Sequence, residues 1–578
     1  MCGFAGIYSP NRPLSPGDVA IAQRVCERQV HRGPDASGQV IRSHLALFHN
    51  KLSITTIGPD SNQPFGWGDF QCAFAGEIYN HNALAREVGA AGGAFDGRVI
   101  PVGFARAGLQ YLSRLEGEFA LAIADASKKT ITLSRDRAGA RSLYFAKASD
   151  DCWVFSTELS ALVREPEIHL GFDAVALLGQ LLLQEWTPRL GTYFEGIFQV
   201  PPGTAITLSD EAPKVEAYPF DFRGTDNRAD ILANAVTARF YHSQAAKGCL
   251  AFSGGLDSTA IAALLSASTT PMATFTVVRS LEDPIAVRVR RLSKEMPWLQ
   301  PRFVLLRSEE ITDSRLTELT AQLASPVCDT TPFALSALLQ EASGQGFRYC
   351  VSGEGSDDLW GGYAGEMPFL CQDSVTLAYQ SLIDRVHESC FVQFGRGQLR
   401  KVPLIHQEAA QALAKRLGDR LSDLGVAAET QSLQVLNRPL ALLSVLGPLR
   451  RSLEQVDCLA GLHSMEARVP YCSAKLMSLP WRADWCEGKQ WVRNMIPDRI
   501  RAGLDWTKES FATRRFSDTA LNENLDLLVD EVLATRAIAP YLDREVDGSI
   551  LRMLAATNSK LWWSMVGIAR FCTVHRRS

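Results

Sequence analysis

Two apolar runs in this chain end in glycine-rich turns. Cys249 to Ser268 reads CLAFSGGLDSTAIAALLSAS, an apolar run, a turn with two glycines, then apolar residues at helical spacing. Tyr349 to Tyr363 reads YCVSGEGSDDLWGGY, another apolar run that leaves into glycines and acids. A strand that enters a glycine turn and then a helix, met twice, points to an open parallel sheet whose strand ends face one ligand. Gly254 and Gly255 let the backbone fold tightly and turn its N–H groups toward an anion, and the helix that follows offers its positive end to the same charge. Ser253 and Ser258 add hydroxyl donors, and Asp257 and Asp357 can reach a magnesium ion that phosphates share. The chain contains no GxxxxGK followed by Ser or Thr, so this is not a Walker loop. Taken singly, each stretch also reads as an ordinary strand–turn–helix junction or an acidic surface loop.

SGGLDS resembles the pyrophosphate loop of N-type ATP pyrophosphatases, and the two loops in this order resemble the asparagine synthetase family. That resemblance implies ATP and Mg2+, cleavage between the α and β phosphates, and AMP left on a carboxylate. It implies ATP or pyrophosphate contacts at Ala251, Ser253, Gly254, Gly255, Asp257, Ser258, Val277, Ser352 and Gly353. Magnesium falls to Asp257 and Asp357, and Glu354 stands where asparagine synthetases have a Glu that deprotonates ammonia. LDWTKESF, Leu504 to Phe511, matches the family segment with an active-site lysine, here Lys508; without that context a lysine reads as a surface charge. VDCLAGLHSMEARVPY, Val456 to Tyr471, is similar to the segment that closes over the acceptor, with Asp457, Glu466 and Arg468 at matching positions. A buried Glu–Arg pair tying two helices together is the structural alternative.

The first residues are MCGFAGIYSP. With Met1 removed, the Cys2 thiol would have its own α-amino group beside it as a base near neutral pH. MCGFAG, HRGPDASG at 31–38, AGEIYNH at 75–81, EGEFALAIAD at 116–125 and SRDRAGARSLYF at 134–145 resemble a class II glutamine amidotransferase. That resemblance implies an Ntn-hydrolase-like antiparallel α+β domain over 2–210, and glutamine contacts at Lys51, Ala75, Gly76, Glu77 and Asp96. Two positions depart from the family. Lys51 replaces the arginine that grips the glutamine carboxylate in two places, and Ala75 replaces an asparagine of the oxyanion hole. Loss of one oxyanion donor typically costs about 10²–10³ in rate.

A second domain is expected over 227–578, with strands at TFTVV (274–278, beside the adenine) and RFVLL (302–306), helices at 227–239 and 331–342, then a helical part including Glu408 to Leu424, Ser432 to Leu453 and Leu561 to Phe571. At 578 residues and a net charge of −4, with no long basic tract, the chain offers nothing that calls for nucleic acid. Nothing in the sequence reads as a membrane span or a signal peptide, and thirteen cysteines without CxxC pairs point to reduced thiols in a cytoplasm. The implied partners are a small-molecule or peptide carboxylate, glutamine or another amine donor, and a second copy of the chain in a homodimer.

Three readings follow. One is a glutamine-dependent asparagine synthetase or paralogue. Another resembles the β-lactam synthetases and lasso-peptide cyclases, which adenylate a carboxylate and use an amine of the substrate itself. The third is a non-catalytic AMP-binding scaffold. Lys51, Ala75 and the segment PVCDTTPFALS, which lacks the family's aspartate-gripping arginine, favour the second; Glu354 favours the first.

Overall fold

The computed structural model describes residues 2–89, 95–149, 151–183, 191–217, 227–242, 246–267, 271–360, 448–479 and 489–501, with shorter stretches chiefly at 391–394, 400–403, 525–535 and 559–575. Most of the helices expected at 408–424 and 432–453, and Lys508, lie outside the described residues.

The N-terminal part builds two six-stranded antiparallel sheets. In one, Gly3–Tyr8 lies between Leu45–Lys51 and Cys152–Ser156; in the other, Gly117–Asp125 lies between Phe70–Ile78 and Thr130–Arg135. Side chains alternate across each strand, so Phe4, Leu47 and Phe155 meet Ala73, Ala120 and Leu133 between the sheets. The opposite faces are covered too: Ala5, Ile7 and Phe48 pack on Ile21 and Val25 of the Pro16–Glu27 helix, while Phe74, Phe119 and Leu121 pack on Leu84, Val99 and Leu112. Burial on both faces explains why these strands read as nearly unbroken apolar runs.

The C-terminal part carries a five-stranded sheet, all parallel, in the order Leu299–Leu305, Met272–Val278, Gly248–Ala251, Tyr349–Val351, Glu466–Arg468. Cys249, Phe275 and Cys350 face one helical layer with Phe333 and Leu339; Leu250, Tyr349 and Val351 face another with Val236, Ile261 and Leu453. The expected strand at 302–306 begins earlier, at Leu299, and the helix expected at 331–342 runs to Gly344. Glu466 and Arg468 sit on the edge strand, not on helices, because extended backbone pairs Tyr349 with Glu466 and Val351 with Arg468.

Between the two parts lies a network of buried charges. Glu118 Oε1 accepts hydrogen bonds from Arg239 Nε at 2.7 Å and from the Val469 N–H at 2.9 Å, while Oε2 faces Arg141 at 3.2 Å. Arg468 bonds Glu466 at 2.8 Å and Glu77 at 3.2 Å, and Arg32 bonds Asp457 at 3.0 Å. Burial alone would raise the Glu118 pKa, but Arg239 and Arg141 bring it below the usual carboxylate range. Removing one partner of such a network strands the others in low dielectric. Glu118→Gln is therefore expected to lower stability by about 3–5 kcal/mol, read as a fall in the denaturation midpoint of the intact chain; a loss below about 1 kcal/mol, the scale of a surface ion pair, would show that these charges are not held dry.

Candidate functional site

The sheet order decides where the glycine loops meet. The chain starts at the central Gly248–Ala251 strand, moves outward through Met272–Val278 and Leu299–Leu305, and returns to the other side at Tyr349–Val351. The loops after the Gly248 and Tyr349 strands therefore leave at the switch point of the sheet, where a crevice opens beyond the strand ends. Gly254 has φ +67, a conformation that disfavours any side chain, and Gly255 caps the Leu256–Leu264 helix. Ser253 Oγ accepts the Gly255 N–H at 3.2 Å and sits 3.2 Å from Ser258 Oγ. Ala251 ends its strand beside Phe275, and Val277 lies buried on the next strand. Across the crevice the Ser352 N–H donates to the Arg468 carbonyl at 3.0 Å, and a Cβ at Gly353 would stand 3.2 Å from the Asp257 Cβ, so the loops touch.

The two acids expected to share a cation converge on Lys489. Its Nζ lies 2.9 and 2.8 Å from the Asp257 oxygens and 2.5 Å from Asp357 Oδ1. Ser356 Oγ donates to Asp257 Oδ1 at 2.7 Å, and the Tyr471 hydroxyl donates to the Asp257 carbonyl at 3.1 Å. Burial works to lower the Lys489 pKa, but the two carboxylates outweigh it and raise it. Lys489 has φ +60, a left-handed backbone that a lysine adopts at a cost of order 1–3 kcal/mol. The sequence reading missed this residue: a lone lysine in EGKQW carries no local signal, and its partner Asp257 is 232 residues away. Two carboxylates already arranged around a positive group fit a divalent ion, so Asp257 and Asp357 would hold magnesium.

Glu354 follows in the second loop. Its carboxylate accepts a hydrogen bond from Ser452, and burial, reinforced by Asp357 and Asp257, raises its pKa although the Ser452 bond opposes this.

Cys2 lies about the N-terminal end of Gly3–Tyr8, where the Leu52 N–H donates to Sγ at 3.4 Å. Burial pushes its thiol up to about 11. Lys51 is buried, and Nζ donates to the Gly58 carbonyl at 2.6 Å and to Asn62 Oδ1 at 3.2 Å. Ala75 turns its methyl into the core between the sheets. Gly76 has φ +133, and a Cβ there would meet the Glu118 carbonyl at 1.9 Å, so this backbone admits only glycine. Glu77 is held from the C-terminal part by Arg468 and by His242 at 3.1 Å, with Thr55 donating to it at 2.6 Å. Asp96 accepts the Ile78 N–H at 2.6 Å; burial and the Glu77 charge raise its pKa well above the usual range.

A family model for asparagine synthase matches residues 228–576. The chain belongs to that family. A second family model, the glutamine amidotransferase domain, matches residues 1–219. The chain is 27% identical over 408 residues to amidase chry2 of Gibberella zeae, covering 63% of this chain and 59% of that protein. It is 25% identical over 378 residues to asparagine synthetase [glutamine-hydrolyzing] 1 of Bacillus subtilis, again covering 63% and 59%. Asparagine synthetase [glutamine-hydrolyzing] 3 of Bacillus subtilis is 23% identical over 518 residues, 84% of this chain and 81% of that one. The chain thus spans about three fifths of the length of the first two relatives. Among the described residues no helix is long and apolar enough to cross a membrane, and the ten described cysteines form no disulfide.

Asp96 yields a pH prediction. With its folded pKa above the unfolded value near 3.9, the folded chain holds the extra proton in between, so this carboxyl costs stability as pH rises through that window. Asp96→Asn keeps the acceptor for Ile78 and removes the proton requirement. The variant should gain stability over wild type as pH rises from about 4, by up to roughly 1.4 kcal/mol per pH unit until the folded pKa is reached. A difference that stays flat across pH 4–7 would show that Asp96 is ionised in place.

Proposed function

We propose that this protein is an ATP-dependent amide-forming ligase of the asparagine synthetase type. A substrate carboxylate attacks the α-phosphate of ATP, pyrophosphate leaves, and a nitrogen nucleophile displaces AMP from the acyl-adenylate. The observation that carries this reading is the convergence of Asp257, Asp357 and Lys489 between two touching glycine loops at the switch point of a parallel sheet. A phosphate crevice there has backbone donors, a cationic side chain and two carboxylates for a metal, which suits charge that builds on leaving pyrophosphate. Ser253, Gly254, Gly255, Ser258, Ser352 and Gly353 would contact the phosphates, and Ala251 and Val277 the nucleoside. Lys508 would act from above the phosphates and Glu354 as the base for the nitrogen. Magnesium held by Asp257 and Asp357 would supply charge neutralisation. Localisation in a cytoplasm and assembly as a homodimer belong to the same proposal.

The test is pyrophosphate release from MgATP with L-aspartate as the first carboxylate probe, wild type against Asp257→Asn. Loss of one metal carboxylate, with Lys489 left to Asp357 alone, should slow release about 10²-fold or more. Equal rates would overturn the assignment of this loop.

For the nitrogen source, the paired domains support glutamine, hydrolysed at Cys2 with Gly76 in the oxyanion hole and Lys51, Glu77 and Asp96 around the amino acid. A second reading is favoured by Lys51 and Glu77, whose charges are engaged by the chain's own groups, and by the Ala75 methyl. In that reading the nitrogen is an amine of the substrate, as in a lasso-peptide or β-lactam-type cyclase. Glutamate released from glutamine separates them. By the oxyanion magnitude above, wild type should hydrolyse slowly, and Lys51→Arg with Ala75→Asn should raise the Cys2-dependent rate by about 10-fold or more. Brisk hydrolysis by wild type, abolished in Cys2→Ala, would discard the cyclase reading.

A further inference from the structure

Resting on the ligase reading, we propose that Ser452 is the positioning residue that aims Glu354 at the nitrogen nucleophile. Ser452 lies on the Pro448–Leu462 helix, and its hydroxyl donates to Glu354 Oε1 across 98 residues of sequence. Among the described residues it is the one side chain that hydrogen-bonds this carboxylate.

Both ends of that contact are fixed. The Glu354 carbonyl accepts from Cys472 Sγ at 3.7 Å, and the next residue, Gly355, has φ +81 at a place where a Cβ would stand 2.3 Å from Cys472 Sγ. The loop backbone is therefore wedged. Leu449 and Leu453, on the Ser452 side of the helix, are fully buried in the core beneath the phosphate loops. On its other flank Arg450 donates to the Gly191 carbonyl at 3.0 Å, and Arg451 to the Pro326 carbonyl at 3.3 Å. A helix pinned to both parts of the molecule thus presents one hydroxyl to a carboxylate whose backbone packs directly on Cys472. Engaging Oε1 leaves Oε2 to serve as the base.

The step balances without a further reagent. The nitrogen lone pair attacks the acyl carbon and a C–N bond forms; the bond from that carbon to the AMP oxygen breaks, and AMP leaves with the electron pair. The nitrogen's proton passes to Glu354 Oε2, while Ser452 keeps its own proton throughout. Ser452 therefore has no part in forming the adenylate, and its loss should separate the two half-reactions.

The experiment compares wild type, Ser452→Ala, Ser452→Thr and Glu354→Gln, with L-aspartate as carboxylate and ammonium chloride as nitrogen donor. Adenylation is read as aspartate-dependent exchange of labelled pyrophosphate into ATP, and amide formation as product. Ser452→Ala should keep exchange within about twofold of wild type while kcat for amide formation falls about 10- to 100-fold, a fraction of the 10²–10⁴ a general base contributes. KM for ammonium should move less than kcat, since Ser452 itself does not touch the nitrogen. Ser452→Thr retains the hydroxyl and should recover most of the rate. Glu354→Gln, which removes the base itself, should lose amide formation more deeply than Ser452→Ala. Parallel loss of exchange and amide formation in Ser452→Ala, or failure of Ser452→Thr to recover when its unfolding midpoint matches wild type, would overturn the positioning role. Wild type that exchanges pyrophosphate with neither L-aspartate nor any other carboxylate of an amino-acid and peptide panel would instead overturn the ligase reading, and this proposal with it.

Discussion

A carboxylate buried without water must find cations, and the Glu118 carboxylate finds them on both sides of the molecule. Arg141 comes from its own sheet system, Arg239 from the helix that precedes the first glycine loop, and the Val469 N–H from the end of the edge strand. Each bond depends on the others, since an arginine or glutamate left alone here would carry an uncompensated charge. The consequence is geometric. Gly76 stands over the Glu118 backbone, and Tyr471, two residues beyond Val469, bonds the Asp257 carbonyl. One buried side chain thus ties the position of the thiol region to that of the glycine loops.

The crevice between the two glycine loops follows a similar electrostatic rule. Asp257 and Asp357 reach the same space because their strands are neighbours, and two carboxylates so close require a positive group between them. Lys489 supplies it at the expense of a left-handed backbone, and the neutralised pair holds the loops in place. Glu354 lies close enough to feel both negative charges, which is part of why its pKa rises.

At the thiol site the chain satisfies its own polar groups. Lys51 Nζ is engaged by the Gly58 carbonyl and Asn62 Oδ1, and a single ammonium lacks the two-pronged grip of an arginine. Glu77 is drawn toward Arg468 and His242, groups that belong to the other half of the chain.

Residues close in sequence were legible without coordinates. The glycine turns, the apolar runs around them and the helices after Asn227 and Thr330 follow from backbone freedom, side-chain periodicity and capping, all of which act over a few residues. The family resemblance added which loops belong together, and with that the expectation that Asp257 and Asp357 share one cation. What the sequence could not contain is which distant charges pair. Lys489 looks like a surface lysine, Ser452 like a solvated serine, and Glu466 with Arg468 like a pair on helices, until the parallel sheet brings the edge strand beside Tyr349–Val351. Tertiary structure decided those points, because the energy of a buried charge depends on every group within a few ångströms, and here those groups come from segments up to hundreds of residues apart.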